Sequence, residues 1–239
     1  MRLKPLATVL TLSIVPLTAY AGDKETNFKI TMNDKVVGHT SFALKPAGDK
    51  FHLNSRGDYT VPASGDDPAM IGDYKRTATL SSSYDLIQDA STNEVGTSRL
   101  TVYIAPSGGK LAIGAGGQGG GSSSNVQLDL HPNTVVVPNF DAGAIEALIR
   151  MHSRLPADAK IWGVIPSAAV ELPVVISDAG PSAGTLAGAA VPVTHYTIKF
   201  PKLTIEAYTD ASLNLMRADF PAQHASFTRE GFQMAAAAK

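Results

Sequence analysis

TNFKITMNDKVVGHTSFALKPAGDKFHLNSRGDYTV, residues 26–61, is the stretch that decides the fold. Phe28, Ile30 and Met32 alternate with Lys29, Thr31 and Asn33, a period of two that puts apolar side chains on one face of an extended strand. Asn33-Asp34-Lys35 then offers a tight turn. The next run carries Phe42 and Leu44 on one face. After the turn Pro46-Ala47-Gly48-Asp49, a third run sets Phe51, Leu53, Tyr59 and Val61 against His52, Asn54, Arg56, Asp58 and Thr60. Three such segments in succession predict an antiparallel meander with one wet face.

The same alternation continues through Ala78, Leu80, Ser82, Tyr84 and Leu86, through Leu100, Val102 and Ile104, and through Val126, Leu128 and Leu130. Further runs are expected at 161–165, 170–176, 191–200, 203–208, 213–220 and 225–232. Short strands at near-regular spacing, with turn chemistry between them, define an all-β domain. One segment breaks the period. Ala144, Ile145, Leu148, Ile149, Met151 and Leu155 recur at helical spacing, so an amphipathic helix is expected from Asp141 to Leu155. Asp141 is its expected N-cap, Phe140 a hydrophobic staple over Ile145, and Glu146 sits four residues before Arg150 for an ion pair. Basic Arg150, His152 and Arg154 suit its C-terminal turn, and Pro156 ends it.

The first 21 residues, MRLKPLATVLTLSIVPLTAYA, have the pattern of a secretory leader: basic Arg2 and Lys4, an apolar centre, and the small-x-small triplet Ala19-Tyr20-Ala21. Cleavage there leaves residues 22–239 as one β-rich domain, exported and soluble, with no transmembrane anchor. The chain contains no cysteine, so disulfides, thiolate metal sites and thiol catalysis are excluded. Without Arg2 and Lys4 the count is 18 basic against 21 acidic residues, a net charge of −3. No basic patch interrupts that balance, which argues against nucleic acid or an anionic membrane surface as partner.

Motifs that match on paper fail in context. Gly114 to Gly119 spells GxGxxG, but more glycines and serines follow where a dinucleotide site needs a helix. Gly180-Pro181-Ser182-Ala183-Gly184 spells GxSxG, again with no helix after it, and Ser107-Gly108-Gly109-Lys110 lacks the companions of a Ser-x-x-Lys enzyme. Arg56-Gly57-Asp58 lies inside a strand. No histidine among His39, His52, His131, His152, His195 and His224 has a partner at metal-ligand spacing, and Asp66, Asp67 and Asp73 match no calcium loop. Neither a metal nor a cofactor is expected from these patterns. The glycine- and alanine-rich stretches 114–124 and 179–190 read as mobile hairpin tips.

The order of Phe28 to Met32, the strand containing Gly38, the pair around Tyr74 to Leu86 and Arg99 to Ile104, the helix, and the closing strands from His195 to Phe227 resembles a group of exported bacterial β-rich proteins. Their curved sheet is similar to the half-barrel of the periplasmic lipoprotein carrier and its receptor. The resemblance implies a single curved antiparallel sheet or open half-barrel, with the helix packed on or in its hollow, and a noncatalytic carrier of a lipid or other apolar ligand. Met32, Phe42, Leu53 and Tyr59 from the first strands, Leu148 and Met151 from the helix, and Trp162 after it are the residues expected to line the site. Two other readings stand beside it: an envelope assembly protein acting through open strand edges or the glycine-rich tips, and an envelope hydrolase.

Overall fold

The structure, a computed structural model, describes residues 25–61, 69–118, 124–139 and 141–235. The expected leader 1–21, Asp66, Asp67, Phe140, residues 119–123 and residues 236–239 lie outside these. The first half of the chain is a meander of β1 (Thr26–Met32), β2 (Lys35–Ala47), β3 (Lys50–Val61), β4 (Met70–Ser81), β5 (Leu86–Val95), β6 (Ser98–Ser107), β7 (Lys110–Gln118) and β8 (Ser124–Asp129). A short β9 (Thr134–Val136) and the helix α1 (Ala142–His152) follow. The second half comprises β10 (Ile161–Ile165), β11 (Val170–Leu186), β12 (Ala189–Phe200), β13 (Leu203–Thr209), β14 (Leu215–Phe220), β15 (Ala225–Arg229) and β16 (Phe232–Met234).

All strands join one open sheet, ordered β8 to β1, then β15 down to β9, with β16 added beside β11. Neighbours are antiparallel except β9 and β10, which pair in parallel with Thr134 opposite Trp162. A parallel pair requires a crossover connection, and α1 is that crossover. The sheet must also curl. Laid flat, fifteen strands at ~4.8 Å spacing would span ~67 Å, yet its two end strands β8 and β9 are joined by residues 130–133. That link reaches at most about 19 Å at 3.8 Å per Cα step.

Curling brings β9 and β10 over the inner face of β5 to β8, where Val136 and Val164 complete a core with Leu86, Ile104 and Leu111. Glycines permit close approach across β2, β3 and β4. Tyr74 reaches across Gly57 to bond Thr40, and the ring of Tyr59 covers Gly72.

The helix begins as its sequence predicts. Asp141 caps it by accepting from the Ala144 amide at 3.2 Å, and Arg150 donates to Glu146 at 2.8 Å. It ends at His152, one turn earlier than Leu155, because Ser153 and Arg154 bond back into the last turn. Its residues from Ala142 to Met151 are all buried, with Leu148, Ile149 and Met151 at 0% exposure.

Three local expectations are corrected. The run from Ala78 to Leu86 is two strands, broken at Ser82 to Asp85, where Tyr84 takes a left-handed φ of 68°. Residues 179–190 are not a loose tip. Pairing of β11 with β12 continues through Leu186 opposite Ala189, and Phe232 of β16 packs on Gly184, so only Ala187 and Gly188 turn. Gly114 to Gln118 likewise belong to β7, paired with β6. Ser182 is therefore a strand residue opposite Val193, with no elbow around it.

Candidate functional site

Three anchors hold the helix and the residues flanking it against the curled sheet. At the C-terminal end, Arg154 lies 4.5 Å from the centre of the Tyr84 ring and 5.3 Å from that of Phe51, two rings stacked on each other. The same guanidinium donates to the Ser82 carbonyl. A cation over two aromatic faces closes this end. Midway along, the carboxylate of Glu146 accepts from Arg150 and from the Leu215 amide at 2.8 Å, while Arg150 also donates to Asn214. Burial holds the Glu146 carboxyl above the usual range, although Arg150 and the Leu215 N–H pull it down.

The N-terminal anchor is a fully buried charge cluster. Arg76 donates to Asp89 and to Asp141 at 2.6 Å each, and to the Val136 carbonyl at 2.9 Å. Asp141 accepts in addition from Ser55 at 3.1 Å and from the Ala144 amide. Burial alone would push the Arg76 guanidinium down, but the two carboxylates hold it above its ordinary value. Asp89 is raised by its burial despite Arg76, and its Oδ1 has no hydrogen-bond partner among the described residues. One guanidinium facing two carboxylates is how the sheet grips the helix N-cap.

Beside this anchor lies a cavity of about 390 Å³. Met32, Ile145, Leu172, Phe200, Leu203, Ile205, Phe220 and Phe227 form most of its wall, Val137 to Asn139 one rim, and Lys202 and Gln223 the exposed lip. Asp141 contributes the polar part of the inner wall. A predominantly apolar cleft of this size, with few polar groups, matches the usual anatomy of a small-molecule site.

Of the residues expected to line a ligand site, Met32 lies in the wall of this cavity. Phe42 and Leu53 lie under the helix in the filled core, where Gly143 rides directly on both side chains. Leu148 and Met151 fill the same core. Tyr59 is half-buried on the inner face over Gly72. Trp162 stacks on His131 with ring centres 3.9 Å apart, outside the cavity. The aromatic wall from β12, β14 and β15 was missed, although Phe200 and Phe220 end runs of alternating residues and Phe227 lies within one.

Two hydrogen-bonded histidine–carboxylate pairs, and the looser exposed pair His39–Asp58 at 3.7 Å, also lie outside the cavity: His131 bonds Glu171, as does Thr134, and His195 bonds Glu206, as does Thr197. Among the described residues no three His, Asp or Glu side chains converge with metal-binding geometry, and no helix is long and apolar enough to cross a membrane.

Fold and site together define an open, curled all-β sheet plugged by one helix, with an apolar cavity at the helix N-terminus. A solved structure of a DUF1089 family protein from Pseudomonas aeruginosa is similar to it with a TM-score of 0.43 and 12% identity, over 77% of this chain and 90% of that one. No family model matches the chain, and no curated protein matches it in sequence. None of these comparisons shows the expected resemblance to the periplasmic lipoprotein carrier and its receptor.

Proposed function

We propose that this chain is a noncatalytic binding protein for an apolar, lipid-like molecule held at the N-terminal end of its helix. The observation that carries the reading is the cavity itself: about 390 Å³ walled mainly by aliphatic and aromatic side chains beside the buried core. Leaving such a wall wet forfeits roughly 25 cal/mol per Å² of apolar surface, so an occupant of matching shape is favoured. The site is smaller than the whole hollow, because the helix packs solidly on Phe42 and Leu53. The leader-like residues 1–21 add the proposal that binding takes place outside the cytoplasm, in the periplasm or beyond.

Native mass spectrometry of the freshly purified chain is expected to show an adduct that organic extraction recovers as a single-chain lipid. Ala225→Trp, which places an indole in the cavity from the half-buried start of β15, is expected to abolish the adduct while the far-ultraviolet spectrum stays that of the parent. A cavity that remains empty after incubation with fatty acids would overturn the reading. The competing assembly role has one observation in its favour: β8 ends the sheet order, with a strand on one side only among the described residues.

A further inference from the structure

Resting on the cavity reading above, we infer that the ligand is a single-chain amphiphile whose head carries one negative charge, a carboxylate, seated at Lys202. The polar groups of the cavity are unevenly placed. Its inner wall holds Asp141, whose oxygens are already engaged by Arg76, Ser55 and the Ala144 amide. With Asp89 on the same guanidinium, the inner cluster carries two carboxylates for one cation. An anionic head pushed inward would meet a wall that is net negative and offers no free donor, so the apolar tail enters first.

The lip is the opposite. Lys202, in the turn between β12 and β13, is a cation among apolar residues, and no hydrogen bond or ion pair involves it among the described residues. Gln223, in the short turn before β15, supplies an amide N–H₂ at the same rim. One ammonium and one amide donor match the two oxygens of a carboxylate. The lysine stem can lie along the apolar lip while its head stays in water, so the charge is presented without being buried.

Three probes built on a twelve-carbon chain test this below micelle-forming concentrations: dodecanoate, its methyl ester and dodecyltrimethylammonium. Isothermal titration of the parent chain is expected to rank them in that order. Dodecanoate should be favoured over the ester by about fivefold, the size of an exposed charge pair. K202Q is expected to erase the preference, K202E to reverse it, and added salt to shrink it in the parent. Equal binding of all three would overturn the carboxylate assignment and leave the cavity reading standing. Binding of none would overturn both. Dodecyl phosphate binding more tightly than dodecanoate would overturn the choice of head.

Discussion

Arg76→Ala is expected to leave the chain unable to fold. Its side chain is 0% exposed and makes three hydrogen bonds, two to carboxylates that are themselves buried. Removing one partner of a buried pair costs about 3–5 kcal/mol, because the charge left behind can neither pair nor reach water. Here two carboxylates are left behind, against a total stability of about 5–15 kcal/mol for a typical domain. Asp141 is also the helix N-cap, so the same change loosens the only α-helix among the described residues. Soluble yield, and the urea midpoint of any soluble fraction, are the measurements. A midpoint near that of the parent would show that the cluster does not hold the fold.

Asp89→Asn supplies the contrast. It keeps an oxygen for Arg76 and replaces the unpartnered Oδ1 side by an amide, leaving one cation facing one anion. Since burial raises Asp89 above the ordinary carboxylate range, the folded chain binds a proton in a pH window where the unfolded chain has released it. Stability from this group is therefore fully present below the ordinary aspartate value, and it falls as pH rises through the raised one. Urea midpoints measured across acidic pH are expected to fall less steeply with rising pH in Asp89→Asn than in the parent. Glu146, raised by burial in the same way, leaves a residual slope of the same sign. At neutral pH the variant is expected to stay within about 1 kcal/mol of the parent, because the Arg76–Asp141 pair is intact. A slope unchanged from that of the parent would mean that Asp89 ionises without penalty.

How far these features could be read from the chain depends on how local their physics is. The cap at Asp141, the Glu146–Arg150 pair and the strand alternation are set by neighbours one to four residues away, and each was legible. The anchor on Arg76 joins residues 13 and 65 positions apart. One signal of it was present: in Tyr74-x-Arg76-x-Ala78-x-Leu80 the arginine occupies the apolar phase of the strand, and a charge there implies a buried partner. The stretch 179–190 reads as a loop by composition. Its pairing with β12 and the packing of Phe232 on Gly184 override that. The cavity was illegible because its walls meet only once the sheet has curled, bringing β1, α1 and the strands after β9 around one space.

Gly38→Ala is the change expected to disturb that curl most. A Cβ built at Gly38 would lie 2.1 Å from the Asp58 carbonyl oxygen and 2.7 Å from the Tyr59 Cα, both backbone atoms of the strand paired with it. Neither can rotate aside, so β2 and β3 would have to separate where Gly38 faces Tyr59. Parting them breaks ladder hydrogen bonds close to a register shift already present between Ile30 and Thr31. Overpacking a core typically costs about 1–3 kcal/mol, and a clash with backbone belongs at or above the upper end of that range. Gly72→Ala is the graded control. Its Cβ would meet only the ring of Tyr59, at 2.6 Å, and a half-buried ring can swing away, so a loss nearer 1 kcal/mol is expected. Urea denaturation of both variants beside the parent decides the matter, with Gly38→Ala the less stable by about 2 kcal/mol. Equal losses, or the reverse order, would mean that the approach of β2 to β3 at Gly38 is not what sets the curvature behind the cavity.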